Sequence, residues 1–420
     1  MSKDLIAVVM AAGKSEAMCS KKSKMVHKLF GRELVSRVVD VAEGIRCNEV
    51  ITVVGEQRNQ VIDVLKDRTK YVVQENALGT GHALMQVIPS LESKDGQVVV
   101  LYGDVPIIRR GTVEKLIDRN RNEREAATLL TAFYSNPTGY GRIVRDDVGE
   151  VVEIVEESMA REDIKKINEI NSGIYCFDIK SLIECIKELR PQENGQIYLT
   201  DIVKIMRAKE LKVGAMIVED NTEILGVNDR VQLQLLNKVL QMRNNSYHML
   251  HGVTIEDQDT TYIYDDVKIG RDTIIHPNTT IKSDVVIGED CEIGPNAYIR
   301  EKCNLADRVK VGNCVELKKT SVAYGSKVPH LSYMGDCEIG TGVNIGCGSI
   351  TCNYDGVNKH KTVIKDNCFV GSNTNLVAPV TVGENVLIAA GSTITEDVPD
   401  DTLAIARERQ VNKVGWNSGK

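Results

Sequence analysis

From residue 263 onward the hydrophobic positions recur every sixth residue. Ile263, Ile269, Ile275, Ile281, Ile287, Ile293, Ile299, Leu305, Val311 and Leu317 form one aliphatic series. Ile364, Val370, Leu376, Val382, Ile388 and Ile394 form a second, and Ile339 and Ile345 keep the spacing between them. Neither a helix, with period 3.6, nor a simple strand, with period 2, generates this pattern. It predicts a parallel β-helix. Each six-residue unit is one flat side, its aliphatic side chain stacks inward on the coil below, and three sides complete a coil. Glycines directly behind several of these residues (Gly270, Gly288, Gly294, Gly312, Gly371, Gly383) are expected to allow the sharp corners. A β-sandwich would space its turns less regularly, at roughly 8–12 residues. The stretches 318–333 (KKTSVAYGSKVPHLSY) and 351–362 (TCNYDGVNKHKT) break the count and are polar and basic. A solenoid ejects insertions as loops on one face, so both are expected to be loops that carry binding chemistry.

The first half reads differently. Leu5–Met10, Glu49–Val54, Gln97–Leu101, Thr128–Ala132 and Gly173–Phe177 are apolar, β-branched runs, with helical patterns between them at Arg37–Glu43 and Thr112–Arg119. Alternation of this kind predicts an α/β fold with a mostly parallel, doubly wound sheet. Ligands bind such sheets beyond the C-terminal strand ends, where the loops AAGKSEAM and YGDVP fall. Asp229–Met249 has helical character and is expected to link the two parts. The expected organisation is a nucleotide-binding domain over 1–228, a linker helix over 229–249 and a β-helix domain with a C-terminal tail over 250–420.

Composition narrows the class. The formal net charge of −7 in 420 residues argues against a nucleic-acid partner, which selects for a basic face. No apolar stretch approaches membrane-spanning length, and no leader-like segment is apparent at the N-terminus, so a cytoplasmic protein with no membrane partner is expected. The eleven cysteines contain no Cys-x-x-Cys pair and read as reduced thiols.

The segments MAAGK, SKMVHKLFG, QENALGTGHA, LYGDVP, PTGYGRIV, EINSGIY, IYLTDIV and LGVNDRVQL, followed by GNCVELKK, GSKVPHLSYMGDCEIG, VNIGCGSITCNYDGVNKHKT and FVGSNTNLVAPVTVG, occur in this order. Together they resemble the bifunctional N-acetylglucosamine-1-phosphate uridyltransferase / glucosamine-1-phosphate acetyltransferase family over essentially the whole chain. The resemblance implies a Rossmann-like nucleotidyltransferase domain, a left-handed β-helix and a homotrimer. It also implies the substrates UTP, glucosamine-1-phosphate and N-acetylglucosamine-1-phosphate, with acetyl-CoA as co-substrate and Mg²⁺ as cofactor.

By the same resemblance, Ala11, Ala12 and Gly13 line the nucleotide, and Gln74, Gly79 and Thr80 contact uracil. Asp104 and Asn228 ligate Mg²⁺, Lys24 neutralises phosphate, and Gly139, Glu156 and Asn171 hold the sugar. In the second domain His330 is the catalytic base and Glu316 orients it. Arg300, Lys318, Tyr333, Asn344 and Lys359 hold the amino-sugar phosphate. Cys347, Asn353, Tyr354, Ser372, Ala390 and Arg407 belong to the acetyl-CoA site. The chemistry suits these types: histidine titrates near neutral pH, and Mg²⁺ takes few hard oxygen ligands. One departure stands out. The family's G-x-G-T-R-M loop is Gly13-Lys14-Ser15-Glu16-Ala17-Met18 here, so an alanine occupies the position of a triphosphate-clamping arginine. That leaves three readings open: a bifunctional enzyme, an acetyltransferase whose first domain is a scaffold, and a non-catalytic nucleotide-sugar sensor.

Overall fold

The computed structural model describes residues 3–14 and 16–416. The chain divides into two compact units, residues 1–237 and 238–420.

The first unit is built on a sheet with strand order Val213–Ile217, Ala127–Phe133, Glu169–Asp178, Gly96–Tyr102, Asp4–Ala11, Glu49–Val54, Lys70–Val73. Pairing is parallel except at Glu169–Asp178, which runs antiparallel to both neighbours. The hairpin Arg142–Arg145/Val151–Val155 joins the sheet through the pair Ile170–Arg142. Both faces are buried, as a sheet flanked by helices requires. Ile6, Val8 and Met10 pack into the core on one face, and Ala7, Val9 and Ala11 into the core on the other. The expected strands all form, each extended at one or both ends except Glu49–Val54, which has the expected bounds.

Among the described residues the second unit consists of three parallel sheets of nine, eight and seven strands in which each strand pairs with the one three further on, except that Leu387–Ile388 pairs with Leu403–Ala404, two strands on. Ile263 pairs with Ile281, Ile275 with Ile293 and Ile287 with Leu305, which is one coil every eighteen residues. The aliphatic series forms one continuous stack, buried throughout except at Ile269, which is partly buried.

Two expectations about the repeat need correction. The first concerns the glycines. Left-handed corner residues recur every six positions at Asp272, Asn278, Asp284, Asp290, Asn296, Lys302, Arg308 and Cys314, with φ between 53° and 62°. None is glycine, and five are Asp or Asn, whose short polar side chains tolerate this conformation. The glycines behind the aliphatic residues answer to crowding instead. A Cβ at Gly270 would stand 2.6 Å from the backbone of Gly288, and one at Gly312 would stand 1.9 Å from the Pro329 carbonyl oxygen. Only Gly294 combines crowding with a positive φ of 101°.

The second concerns residues 318–333, which are not an ejected loop. Glu316–Lys318, Ser321–Val322, Lys327–His330 and Tyr333–Gly335 are all strands of the coil. Leu317, Val322, Val328, Met334, Ile339 and Ile345 continue the buried stack. Two sides are one residue short, at 317–322 and 334–339, so pairing here steps by seventeen, as in Lys310 with Lys327. A one-residue deletion at a corner shifts the phase without breaking the coil. The second stretch does contain an insertion: Cys337 pairs with Thr362 and Ile350 with Asn375, steps of twenty-five.

The helix Arg230–Leu250 spans residues of both units. In the second unit, its carboxamides close the open edge of the first coil. Gln241 donates to the carbonyls of Gln258, Asp259 and Thr261, and Asn245 to those of Gln258 and Thr261. Both side chains are buried, and the bonds satisfy carbonyls that would otherwise lack partners.

Candidate active sites

In the first unit, Met10, Ala12, Gly13, Lys14, Met25, Gln74, Gly79, Thr80, Tyr102 and Asp104 line a cleft of about 410 Å³ at the C-terminal strand ends. Ala11 closes the strand behind it and is buried. Gly79 has φ 108°, and a Cβ there would stand 2.4 Å from the Ile197 carbonyl oxygen. Gln74 Nε2 donates to the Gly79 carbonyl at 3.1 Å, so two of the expected base contacts fix each other.

At one side of the cleft the Lys24 ammonium lies 2.5 Å from Asp104 Oδ2 and 2.9 Å from Asn228 Oδ1. Its side chain is 7% exposed and that of Asp104 is 17% exposed. Two hard oxygens from distant parts of the sequence thus converge on one cation.

Thr80 Oγ1 accepts from the Leu199 N–H at 3.0 Å, and the neighbouring Thr200 hydroxyl donates to Glu156 Oε1 at 2.8 Å. Burial raises the Glu156 carboxyl above the usual range, against the Thr200 bond, which lowers it. Asn171 donates to the Tyr175 hydroxyl at 2.7 Å. Gly141 lies between the two, since a Cβ there would stand 3.7 Å from both Asn171 Cβ and Glu156 Oε2. Gly139 has φ 88° and open space around its α-carbon. Glu16–Met18 form a short 3-10 turn with Glu16 and Ala17 exposed, and Lys14 is 3.3 Å from Glu56. Ser15 lies outside the described residues.

In the second unit the expected residues gather at the two corners that bound one flat side, the sheet containing Glu316–Lys318, Tyr333–Gly335, Ile350–Cys352 and Asn375–Val377. At the corner preceding these strands, successive coils stack His330, Cys347, Ser372 and Ala390. The Gly348 N–H points at the His330 carbonyl at 3.5 Å, the Asn373 N–H bonds Cys347 at 2.8 Å, and the Gly391 N–H bonds Ser372 at 2.8 Å. His330 is exposed. Arg407 Cδ lies 3.5 Å from a Cβ built at Gly391, at the end of this column.

The corner following the strands is cationic. Lys318 is held below the usual lysine range, first by Lys359 at hydrogen-bonding distance, then by desolvation and by Arg300. Lys359 and Arg300 thus bring positive charge close to Lys318, offset in part by Asp336 and by the Arg300–Glu316 pair, an excess of cations that suits an anion. Asn353 is buried and donates to Asp336 Oδ2 at 2.5 Å. The Tyr333 hydroxyl folds over Gly335, where a Cβ would stand 2.4 Å from it. The ejected loop carries Tyr354 and Lys359, which form an isolated bridge, and is closed by His360 against Asp355 at 2.7 Å. That bond, with the Asn358 and Val357 N–H groups, brings the Asp355 carboxyl down to about 2. Asn344 lies on the adjoining sheet, paired with Lys327 and Phe369.

Glu316 goes to a different partner from the one expected. It accepts from Arg300 at 3.0 Å, on the side that His330 only borders. Asp336 and His360 were missed as supports of the site, although both stand in the quoted segments. Periodicity could not single them out, because their role depends on pairing across coils.

A family model described as a MobA-like NTP transferase domain matches residues 7–164. One described as a bacterial transferase hexapeptide of six repeats matches residues 284–319 and 361–396. The chain is 48% identical to the bifunctional protein GlmU of Caldanaerobacter subterraneus subsp. tengcongensis, covering 98% of this chain and 97% of that protein. It is 45% identical to the protein of that name from Acetivibrio thermocellus over the same shares, and 44% identical to that of Listeria monocytogenes over 99% of each. Identity of this extent, running through both a nucleotidyltransferase unit and a hexapeptide-repeat unit, makes the chain a member of the bifunctional GlmU family.

Proposed function

We propose that the two units divide the work of a bifunctional GlmU protein between them, with residues 1–228 as the uridyltransferase domain, 229–249 as the linker helix and 250–420 as the acetyltransferase domain. The chain is an enzyme of UDP-N-acetylglucosamine biosynthesis. It acetylates glucosamine-1-phosphate with acetyl-CoA, then transfers UMP from UTP to the N-acetylated product with release of pyrophosphate. The observation that carries this reading is that each unit has its own polar constellation: in one, the oxygens of Asp104 and Asn228 converge on the Lys24 cation, and in the other, Arg300, Lys318 and Lys359 gather positive charge.

For acetyl transfer, His330 takes the proton of the attacking amine, and Arg300, Lys318 and Lys359 hold the sugar phosphate. Tyr333, Asn344, Asn353 and Tyr354 frame the sugar and the acetyl group. Backbone N–H groups near Cys347 and Ser372 supply oxyanion donors, and Ala390 and Arg407 receive coenzyme A. His330 and the cationic cluster stand at opposite corners of one flat side. That supports a homotrimer in which neighbouring chains complete each site, a closed symmetric assembly.

For uridylyl transfer, Gln74, Gly79 and Thr80 select the base, while Gly139, Glu156 and Asn171 orient the acceptor sugar. Asp104 and Asn228 fit Mg²⁺, because their oxygens already converge on a single cation and Mg²⁺ needs few protein ligands. When bound, the ion would offset charge on the triphosphate. Lys24 is then the cation that meets the phosphates, and line-up for in-line attack comes from the cleft walls. Among the described residues no helix is long and apolar enough to cross a membrane. The substrates favour the cytoplasm.

The test supplies purified protein with glucosamine-1-phosphate, acetyl-CoA, UTP and Mg²⁺, and follows free thiol and pyrophosphate separately. Both should appear. Thiol alone would leave only an acetyltransferase with a scaffold domain, and neither product would overturn the assignment of catalysis to this chain.

A further inference from the structure

We infer that Arg142 is the positioning residue that holds the acceptor-sugar subsite of the first unit together. The three segments assigned to the sugar carry Gly139, Glu156 and Asn171, and all three are tied to this one buried side chain or its strand. Arg142 is 1% exposed. Its Nη1 donates to the Tyr140 carbonyl, and its Nη2 lies 2.6 Å from Glu157 Oε2. Arg142 holds the Glu157 carboxyl below the usual range. Through the Tyr140 carbonyl, next to Gly139, the guanidinium therefore fixes the turn that presents Gly139. Glu157 directly follows Glu156, so the same ion pair sets where the second sugar segment leaves its strand. The third segment is held through the backbone: Ile170 pairs with Arg142, and the Asn171 N–H bonds the Gly141 carbonyl at 2.9 Å.

Stability alone does not account for an arginine here. A buried guanidinium is costly to desolvate, and an apolar residue of similar volume commonly serves a fold as well or better. Its Nε is buried without a hydrogen-bond partner, so the ion pair does not satisfy the whole group. What the arginine supplies is a planar fork that reaches a backbone carbonyl and a carboxylate at once, which a lysine ammonium reproduces only in part. The expected consequence is specific to the acceptor, because Gln74, Gly79 and Thr80 are held by other bonds.

This inference rests on the sugar reading of Gly139, Glu156 and Asn171, and the experiment separates the two. In the full chain, Arg142→Lys and Glu157→Gln are assayed for the KM of N-acetylglucosamine-1-phosphate and of UTP, with thiol release by the second unit as an internal measure of intact protein. Each variant should raise the KM for the sugar phosphate about tenfold while that for UTP stays within about twofold. The double variant should be little worse than either single one, because both break one contact. Arg142→Lys should be the milder, retaining part of the contact. An unchanged sugar KM, a parallel rise in both KM values, or fully additive losses would overturn the positioning role. Asn171→Ala in the same assay tests the underlying reading: if it leaves the sugar KM unchanged, the subsite itself is misassigned, whatever Arg142 does.

Discussion

Lys24 Nζ lies 2.5 Å from Asp104 Oδ2, joining residues eighty positions apart at one side of the first unit's cleft. The pair is largely shielded from solvent, so removing one partner leaves a charge poorly compensated. Asp104→Ala should lower the stability of the first unit by up to about 3 kcal/mol, below the range for a fully buried pair because Asp104 keeps some exposure. Asp104→Asn keeps an acceptor for Lys24 but not the charge, so it should lose less stability than Asp104→Ala while losing pyrophosphate formation by about a hundredfold or more. Denaturant melts and a pyrophosphate assay check both. Chelation of Mg²⁺ should stop pyrophosphate formation in the parent protein and leave thiol release unchanged.

Ala17 occupies the place where the family pattern has an arginine, and it is exposed on a short turn. Lys14, the nearest cation in sequence, is 3.3 Å from Glu56 and is therefore partly engaged. Ala17→Arg should raise kcat/KM for UTP several-fold, on the order of 1 kcal/mol, because a planar bidentate donor is added where point charges now serve. An unchanged kcat/KM would show that the lysines of this loop already do the work.

The lowered affinity of Lys318 for its proton makes the phosphate cradle detectable by calorimetry. Lys359 and Arg300 disfavour the charged ammonium, and a bound phosphate restores it. Binding of glucosamine-1-phosphate at alkaline pH should therefore take up protons, seen as a dependence of the binding enthalpy on the buffer's ionisation heat. Lys359→Met should abolish most of the uptake and raise the KM for that substrate about tenfold.

His276 sits between carboxylates on successive coils, 2.9 Å from Glu256 and 3.3 Å from Glu292, with Lys310 also on Glu292. Desolvation opposes its protonation, but the two carboxylates win and its pKa is raised. A histidine raised on folding stabilises fully below the unfolded value near 6.5, and that contribution disappears as pH rises through the folded value. The carboxylates are 47% and 42% exposed, so the effect is screened and below about 1 kcal/mol. The melting temperature of the parent protein should exceed that of His276→Gln at pH 5.5 and match it at pH 8.5. A gap that persists at the higher pH would contradict the assignment.

These sites were legible in the sequence to different degrees, for physical reasons. The β-helix was readable because a stack of inward aliphatics imposes one period on the chain, from Ile263 to Leu317 without exception. The same count failed from residue 318, where single-residue deletions in the sides 317–322 and 334–339 shift the phase on either side of a stretch that looks in sequence like an ejected loop. Only the positions of Val322, Val328 and Met334 in the buried stack distinguish a phase shift from an insertion. Strands such as Glu49–Val54 could be read from β-branched runs, whereas the reversal of Glu169–Asp178 depends on pairing partners that no local pattern encodes. The site residues came from resemblance. Their mutual geometry did not, as Glu316 on Arg300 and Arg142 on Glu157 illustrate.

The central claim is that one chain carries two separate active sites, and His330→Ala tests it most directly. The variant should lose thiol release from acetyl-CoA and glucosamine-1-phosphate by a factor on the order of 10²–10⁴, the range for a positioned general base. In the same preparation, pyrophosphate formation from UTP and N-acetylglucosamine-1-phosphate should stay at the parent rate. Equal loss of both activities, or retention of thiol release, would contradict the account.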